Sequence, residues 1–470
     1  MEKIFGLKSH GTTIKTEILA GMTTFFAMVY ILMVNANMFA DPFGDGTNVL
    51  GVSYGAIYIA TAISAVIGTL LIGFLANLPL AQASGMGLNA FFVYTVCVGF
   101  GLTYANALVL VLIDGVVFIA LTLTGLRKKI FEAIPTAVRT AVPAGIGLFI
   151  AFLGLQNSGL VVNSSSTCVT LGSFNLLIDG NWANVMPMLV TVIALLAIAI
   201  MSRRNVRGAV LWGILGGTAI YYLLGFTVPG FYSSLSFSMS SPFEAFGAFG
   251  REAFGKVFTE GFDFSAYIAA HGSANLALTI LTSALAFCMV DMFDTIGTLY
   301  GACARGDMLT AEGEVPNMNR AMMADAVATT VGAVCGTSTV TTFVESSSGV
   351  AEGGRTGLTA LTTAVLFAVA MFLSPIAVLV PSCATAAALV YVGVLMMSCV
   401  KEIDWHSADS AVPAFLTVSI MPFAYNISYG IAFGLISSVF IYLFTGRGKE
   451  IKASTWIIML LFLAMLFMTH

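Results

Sequence analysis

Long apolar stretches recur along almost the whole chain, and short polar or glycine-rich connections separate them. A helix needs about 20 mostly apolar residues to cross the hydrocarbon core of a bilayer. Fourteen spans are predicted. A further apolar run at 455–469 either crosses as a fifteenth span or lies against the membrane surface or the protein. Eleven are long: 16–39, 55–77, 104–124, 137–156, 184–201, 206–226, 276–300, 356–374, 384–400, 408–424 and 427–445. Three are shorter or interrupted by polar residues: 86–100, 321–336 and 338–352.

The composition agrees with a surface that lipid covers. Of the 470 residues, 58% are hydrophobic and 9% are charged, and the mean hydropathy is +0.96. Soluble domains carry about 25% charged residues. The fold class that follows is an all-α polytopic membrane protein. The seven cysteines are scattered without a C-x-x-C pair and no basic tract is present, so the sequence predicts no disulfide framework, no metal cluster and no nucleic-acid partner.

The basic residues indicate how the spans are oriented, because cytoplasmic connections carry an excess of Lys and Arg. If the N-terminus is cytoplasmic and all fourteen stretches cross, the basic clusters at 127–129 and 203–207 fall inside the cell. Only Arg251 and Lys256 then fall outside. The first apolar stretch is too long for a cleaved signal. We therefore expect a multi-pass protein of a plasma membrane or a bacterial inner membrane.

The spans divide into two sets of seven around a longer connection at about 227–275. An odd number of spans in each half inverts the second half relative to the first, which is a common plan of secondary transporters. The interrupted stretches 86–100 and 338–352 are each third in their half. Paired interruptions of this kind mark a substrate site near the middle of the membrane. The sequence therefore predicts a seven-plus-seven inverted repeat whose site lies at segments 3 and 10.

Two acidic residues, Asp291 and Asp294, lie three positions apart in the predicted eighth span. Residues at this spacing share one face of a helix. An acid at membrane depth is costly and normally faces a cavity or a partner, and two adjacent carboxylates repel each other when both are ionised. One of them is therefore expected to hold a proton, which suits proton coupling. The alternative is that both pin neighbouring helices without touching a ligand.

The segment 336–357 is too polar for a lipid-facing helix, with nine Ser and Thr residues. Its run TVTTFV predicts a short extended piece, and the following SSSG predicts the start of a half-helix that offers unpaired N–H groups to a ligand. Glu345 lies between them and is the strongest candidate for substrate contact. Glu352 and Arg355 are expected to form a structural or gating pair. The alternative for the whole segment is a cytoplasmic loop.

The segment 82–96, QASGMGLNAFFVYTV, is the counterpart in the first half. Its GMGLNA string fits the dinucleotide-binding pattern, but that pattern requires a preceding strand in a βαβ unit and an acid about twenty residues on. A glycine-permitted break that opens a half-helix is the better interpretation. Asn89 would then offer a donor and an acceptor to a ligand, and Phe91 could supply an aromatic face.

Two further acids in predicted spans, Asp114 and Asp325, are expected to be structural partners. The sequence holds no H-E-x-x-H, no G-x-S-x-G and no G-x-x-x-x-G-K-[ST] motif. It therefore predicts neither an enzyme nor ATP-driven transport.

The sequence resembles the nucleobase cation symporter family, specifically its AzgA-like branch of hypoxanthine, adenine and guanine permeases. The resemblance covers nearly the whole chain. Ala36 departs from it, because the family more often has Pro there. The matching stretches are GMTTFFAMVYILMVN, QASGMGLNAFFVYTV, DMFDTIGTL, GTSTVTTFVESSSGVAEGGRTGLTA and ATAAALVYVGVLM.

The resemblance implies how the chain is divided and how it works. It implies that a core domain carries the substrate past a gate domain in an elevator motion, that segments 3 and 10 each pair a short strand with a half-helix, and that the protein can form a homodimer. The implied divisions are core at 16–124 and 276–380, gate at 125–226 and 381–445, an outer loop at 227–275, and a C-terminal tail at 446–470.

The resemblance also implies the residues of the site. Purine contacts map to Asn89, Asp291 and Glu345, and we add Phe91, Phe343 and Val344 to the expected substrate-binding set. Asp294, Asp291 and Glu345 are the expected proton-coupling residues. The implied function is import of purine nucleobases by proton symport, with no cofactor or metal other than the coupling proton.

Other functions remain open at this stage. A uracil carrier on the same fold would use similar polar groups. A small-anion carrier should place a basic residue in segment 3 or 10, and none accompanies Glu345. A channel needs a continuous polar pore, whereas the polar residues here concentrate at two matched breaks, and a receptor remains a further non-transporting alternative.

Overall fold

Helices make up most of the chain in the computed structural model, which describes residues 2–124, 134–177, 182–227, 241–311 and 314–468. Among these residues, nine helices are long and apolar enough to cross a membrane, so the chain is a multi-pass membrane protein. They are Ile14–Ala40, Tyr54–Ala76, Tyr104–Thr124, Thr136–Asn157, Trp182–Arg203, Ser273–Arg305, Gly357–Ala377, Ser382–Glu402 and Ile427–Phe444.

Other predicted spans are helices that are shorter or more polar. Apolar helices of 10–17 residues are Met86–Gly99, Ala209–Gly225, Ala408–Phe423 and Ala453–Phe467. The stretch predicted at 321–336 is the helix Met318–Cys335. Short helices outside these include Glu2–Phe5, Pro242–Ala248, Lys256–Thr259 and Ser265–His271. The basic cluster at 127–129 and part of the loop at 227–275 lie outside the described residues.

Polar side chains set the beginnings of several spanning helices. The Thr13 hydroxyl accepts a hydrogen bond from the N–H of Thr16 at 3.2 Å, and Asn426 Oδ1 accepts one from the N–H of Tyr429 at 3.2 Å. Each cap satisfies one of the N–H groups that a first helical turn leaves unpaired. These caps explain why the helices begin at Ile14 and Ile427, where polar residues give way to apolar runs.

Two short strands that are far apart in the chain pair with each other in the middle of the protein. Strand β1 (Gln82–Ser84) pairs antiparallel with strand β4 (Val340–Thr342), with Gln82 opposite Thr342 and Ser84 opposite Val340. Both strands are fully buried. Each leads into a helix, Met86–Ala90 with its continuation Phe91–Gly99 after β1, and Ser346–Ala351 after β4. The predicted strand and half-helix at segments 3 and 10 are confirmed.

A second strand pair was not predicted. Strands β2 (Val161–Ser164) and β3 (Cys168–Leu171) form an antiparallel hairpin between the helices Thr136–Asn157 and Trp182–Arg203. Its side chains are mostly exposed, so it is a connection on the surface and not part of the core.

The spanning helices pack in two groups. The first group surrounds β1 and β4 and contains Ile14–Met28, Tyr54–Leu71, Tyr104–Thr124, Ser273–Arg305, Met318–Cys335 and Gly357–Ala370. The second group contains Thr136–Asn157, Trp182–Arg203, Ala209–Gly225, Ser382–Met396, Ala408–Phe423 and Ile427–Phe444.

Glycine allows a close helix crossing in the second group. A Cβ on Gly393 would lie 2.3 Å from the carbonyl oxygen of Gly147, and a Cβ on Gly147 would lie 2.8 Å from that of Gly393. Small residues let membrane helices approach in this way. The final helix, Ala453–Met468, packs against Ile427–Phe444 and Ser273–Arg305. Phe462 of that helix is fully buried, so this helix packs against the protein.

Candidate functional site

A cavity lies where the two buried strands end, between the two helix groups. The first group contributes the first spanning helix, the helix Ser273–Arg305 and both strand–helix junctions, and the second group contributes the helix Ser382–Met396. The lining residues are Tyr30, Gly85, Met86, Gly87, Asp294, Thr298, Thr342, Phe343, Val344, Glu345, Val392 and Met396. Of the predicted site residues, the cavity therefore brings together Asp294, Phe343, Val344 and Glu345.

Glu345 occupies the junction between β4 and the helix Ser346–Ala351, where it is the N-cap residue. The Tyr30 hydroxyl donates a hydrogen bond to Glu345 Oε1 at 2.5 Å. The junction is held in place by the residue before β1, because the N–H of Phe343 donates to the carbonyl of Ala81 at 3.0 Å and the N–H of Ala81 donates to Ser346 Oγ at 3.0 Å. Hydrogen bonds to Ala81 therefore hold the backbone that carries the Glu345 carboxylate.

Asp294 reaches the cavity from the helix Ser273–Arg305, with Thr298 one turn further on. Its carboxylate lies beside the start of the helix at Met86, since Oδ2 is 3.7 Å from the place where a Cβ on Gly85 would be. That Cβ would also lie 2.6 Å from Thr341 Cγ2. Glycine at position 85 therefore lets β4 and the Asp294 carboxylate approach the start of this helix.

The helix at Met86 directs its N-terminus at the cavity. Its first internal hydrogen bond runs from the N–H of Asn89 to the carbonyl of Gly85 at 2.8 Å. The N–H groups of the residues before Asn89 precede that bond and have no intrahelical acceptor. Met86 and Gly87 line the cavity, so the helix start places hydrogen-bond donors and a partial positive charge beside the two carboxylates.

Three predicted site residues do not line the cavity. Asn89 is buried, and its Nδ2 donates to the carbonyl of Ser84 at 3.3 Å. Asp291 is also buried, and its Oδ2 accepts from the Thr329 hydroxyl at 3.5 Å. Phe91 packs edge-on against Phe287, with ring centroids 4.7 Å apart. All three side chains contact other protein groups and do not reach the cavity. Their predicted roles in substrate or proton binding stay predictions.

A polar network lies behind the strands. Asp325 Oδ1 accepts from Gln82 Nε2 at 3.0 Å, and its Oδ2 accepts from the Thr295 hydroxyl at 2.9 Å. Thr295 also bonds to the Thr341 hydroxyl at 2.6 Å. Asp114 Oδ2 accepts more weakly from the Thr339 hydroxyl at 3.5 Å. Asp325 therefore connects β1 and β4 to the helix that carries Asp294, in agreement with its expected structural role.

The expected pair of Glu352 and Arg355 is wrong. Glu352 forms an ion pair with Arg207 at 2.6 Å. The Arg355 guanidinium instead donates to the carbonyls of Val350 and Gly354, at 2.7 and 2.8 Å. Arg355 thus donates to one carbonyl in the last turn of the short helix Ser346–Ala351 and to one carbonyl just beyond it.

Sequence reasoning missed several residues of the cavity. Tyr30 is the most informative, because it contacts Glu345 directly, and a hydroxyl inside an otherwise apolar span was a signal that could have identified it. Val392 and Met396 carried no such signal, since apolar residues in a span also face lipid. The backbone at Gly85–Gly87 was predicted as a break but not as part of the lining.

The comparisons with known proteins agree on the class of protein. The family described as "Permease family" matches residues 15–433. The chain is 39% identical to the guanine/hypoxanthine permease PbuO of Bacillus subtilis, over 99% of this chain and 100% of that protein. It is 35% identical to the adenine permease AdeP of Escherichia coli, over 98% of this chain and 95% of that protein.

Solved structures share the fold at much lower identity. The transmembrane domain of the cyanobacterial bicarbonate transporter BicA superposes with a TM-score of 0.60 at 16% identity, over 88% of this chain and 97% of that one. The anion transporter SLC26A9 superposes with a TM-score of 0.58 at 11% identity, over 92% of this chain and 66% of that one. The similarity to nucleobase permeases that the motifs predicted is confirmed, and the fold is one that transporters use.

Proposed function

Because the chain belongs to this permease family, whose curated relatives include guanine/hypoxanthine and adenine permeases, we propose that it imports purine nucleobases by proton symport. The observation that carries the proposal is the pair of carboxylates, Asp294 and Glu345, in one cavity between two helix groups. A purine is flat and uncharged, and its edges carry both N–H donors and lone-pair acceptors. Carboxylates accept from the N–H groups, and the helix start at Met86 donates to the acceptors.

The apolar part of the lining suits the faces of such a ring. Met86, Phe343, Val344, Val392 and Met396 surround the polar groups. A small-molecule site of this kind combines apolar walls with a few polar groups that fix orientation. Among the described residues that line the cavity there is no Lys, Arg or His, which favours an uncharged ligand over a small anion despite the fold shared with anion transporters.

Proton coupling follows from the cost of moving charge. Two ionised carboxylates in one cavity repel each other, and an uncompensated charge resists transfer through an apolar barrier. A proton on one of the acids removes one of the two negative charges and the repulsion between them when the base is bound. Asp291 lies three residues before Asp294 and stays in the proposed proton-coupling set with Asp294 and Glu345, although it is outside the cavity lining.

The proposed architecture is that of the sequence prediction: fourteen spans in two inverted halves, with the N-terminus in the cytoplasm of a cell whose plasma or inner membrane holds the protein. The antiparallel pairing of β1 with β4 supports the inverted relation of segments 3 and 10. The two helix groups support a core (16–124 and 276–380) that moves against a gate (125–226 and 381–445) in an elevator motion. A homodimer is part of the proposal and is tested by cross-linking in membranes.

Uptake of labelled hypoxanthine by cells that lack their own purine carriers tests the function. We expect saturable uptake that purines block, that uracil spares and that an uncoupler or a collapsed pH gradient reduces. Glu345→Gln should abolish concentrative uptake, whereas Glu260→Gln, a control in the ion pair with Lys256 outside the spans, should not. Uptake blocked by uracil would favour a pyrimidine carrier, and uptake indifferent to both the pH gradient and the uncoupler would contradict proton symport.

A further inference from the structure

Another cavity, of about 300 Å³, lies at one end of the second helix group. It forms where the helix Thr136–Asn157 begins, where the helix Ile427–Phe444 ends and where the final helix Ala453–Met468 begins. Its lining shares no described residue with that of the cavity at Glu345. The polar and aromatic residues of the lining that matter here are Thr136, Arg139, Tyr442, Glu450 and Lys452.

The wall of this cavity carries more positive than negative charge. Arg139 and Lys452 both line it, and Arg139 Nη2 donates to the Thr136 hydroxyl at 3.3 Å, which places the guanidinium at the start of the helix. Glu450 is the one acid among the described lining residues. The Arg447 guanidinium, which is not part of the lining, binds the Glu450 carboxylate through two hydrogen bonds at 2.9 and 2.7 Å. The cavity therefore suits an anion whose oxygens accept from two cationic groups.

The cavity lies at the level where the helices leave the membrane. Thr136 is the first residue of one spanning helix, and Tyr442 lies in the last turn of another. Trp456 lies in the first turn of the final helix. Tyr and Trp concentrate at the two interfaces between the hydrocarbon core and water. The two basic side chains are thus at the depth of the lipid headgroups.

Apolar surface continues from the cavity along both helices. Phe440 and Phe444 are exposed on the helix Ile427–Phe444, and Ile457 and Leu460 are exposed on the final helix. In a spanning segment, such surface faces the hydrocarbon chains of lipid. The cavity volume is at the lower end of small-molecule sites, so it accommodates a headgroup and leaves the acyl chains to lie on this surface. A free phosphate ion would use only the polar half of the arrangement, which favours a lipid.

We propose that this cavity binds the headgroup of an anionic phospholipid, with the Arg139 guanidinium and the Lys452 ammonium on its phosphate. Basic pockets between membrane helices at the cytoplasmic side bind headgroups of this kind, and in the proposed orientation this end of the helix group is cytoplasmic. The bound lipid joins the start of Thr136–Asn157 to the start of the final helix and so stabilises their packing. The site is separate from the purine cavity, and the proposal does not depend on purine import.

The first measurement is thermal unfolding of the full chain in mixed micelles, after native lipid has been removed. We expect phosphatidylglycerol to raise the unfolding temperature at concentrations about tenfold or more below those of phosphatidylcholine with the same acyl chains. Inorganic phosphate added with phosphatidylcholine should not reproduce this effect. Equal effects of the two lipids would overturn the proposal. Inorganic phosphate that acts as strongly as phosphatidylglycerol would overturn the lipid as the ligand.

The second measurement locates the site. Arg139→Gln with Lys452→Gln should raise the phosphatidylglycerol concentration for half-maximal stabilisation by about tenfold or more. The matched control is Lys8→Gln with Lys15→Gln, which removes the same charge from exposed positions of the N-terminal segment and should leave that concentration unchanged. Equal shifts in the two double variants would indicate an effect of net charge and overturn the site.

These outcomes are independent of the proposed function. The comparison of lipids uses the unaltered protein, so it decides for or against the proposal even if the double variant at Arg139 and Lys452 does not fold. Neither measurement uses purine uptake as its readout. A chain that binds phosphatidylglycerol and transports no purine overturns the proposed function alone, whereas a purine carrier that treats both lipids alike overturns this inference alone.

Discussion

The Tyr30 hydroxyl and the Glu345 carboxylate, 315 positions apart in the chain, form a hydrogen bond of 2.5 Å across the proposed site. Tyr30 belongs to the first spanning helix, and Glu345 belongs to the junction that follows β4. A hydrogen bond to a charged acceptor is stronger than one between neutral groups. The pair therefore holds the carboxylate in one orientation and joins the first span to the segment that presents it.

Tyr30→Phe should weaken substrate binding while the protein still folds. The change removes a hydrogen bond to a charged group, which is worth about 1.5–3 kcal/mol, and we expect the KM for purine uptake to rise about tenfold or more. Tyr58→Phe is the matched control, because that buried hydroxyl donates to the carbonyl of Ala370 at 2.9 Å, away from the cavity. An unchanged KM in Tyr30→Phe would show that this bond does not organise the site.

Glu17 has an equally specific environment at the start of the first helix. Its side chain is fully buried and accepts from the N–H of Arg355, from the N–H and hydroxyl of Thr356, and from the N–H and hydroxyl of Thr359, at 2.7–3.3 Å. It therefore caps the helix Gly357–Ala370 and attaches it to the first span.

Glu17→Ala leaves these buried donors without an acceptor, which costs about 3 kcal/mol or more in total. We expect the thermal unfolding temperature in detergent to fall by several degrees, and to fall less in Glu17→Gln, which keeps one acceptor oxygen. Glu2→Ala is the control, because Glu2 is an exposed residue that accepts from the N–H of Lys8. Equal unfolding temperatures in Glu17→Ala and Glu2→Ala would contradict the capping role.

The positions of the spans were largely predictable, because an apolar run of sufficient length has few alternatives to a membrane helix. The broken segments at β1 and β4 were also predictable, since glycine and clustered Ser and Thr are incompatible with a lipid-facing helix. The β2–β3 hairpin was missed for a related reason: its Asn and Ser residues at 163–166 resemble an ordinary connection, and nothing local distinguishes the two.

The site was predictable only in part. Asp294 and Glu345 were identified because an intramembrane acid needs a cavity or a partner. The same argument selected Asp291 and Asn89, but it does not separate a residue facing a ligand from one facing other protein groups, and both of these lie among protein groups. Val392 comes from a helix far away in sequence, and only tertiary packing places it in the cavity.

Gly87 is packed tightly against the second helix group. A Cβ on Gly87 would lie 2.6 Å from Ile146 Cγ2, well inside the separation of about 3.5–4.0 Å at which carbon atoms attract. Gly87→Ala should therefore impair uptake, and Ile146→Ala in the same chain should restore it by removing the methyl group that clashes. Gly301→Ala is the control, because nothing lies within 4 Å of its Cβ position. Failure of Ile146→Ala to rescue uptake would exclude this contact as the cause.

The ion pair between Arg207 and Glu352 connects the two helix groups and therefore tests their relative motion. Arg207 precedes the helix Ala209–Gly225 of the second group, and Glu352 ends the short helix Ser346–Ala351 that follows β4. Both side chains are partly exposed, so neutralising either one should change stability by only about 0–1 kcal/mol. If the core moves past the gate, however, a covalent link at this position must stop transport.

We expect Arg207→Cys with Glu352→Cys to support uptake until a short thiol cross-linker is added, in a background whose seven native cysteines are replaced. Cleaving the linker should restore uptake. The matched control is Asp409→Cys with Arg447→Cys, which joins an ion pair at 2.5 Å between the helix Ala408–Phe423 and a residue just after the helix Ile427–Phe444, both in the second group. Uptake that continues after complete cross-linking of positions 207 and 352 would contradict a motion of one group against the other at this contact, because the link holds the two together throughout the cycle.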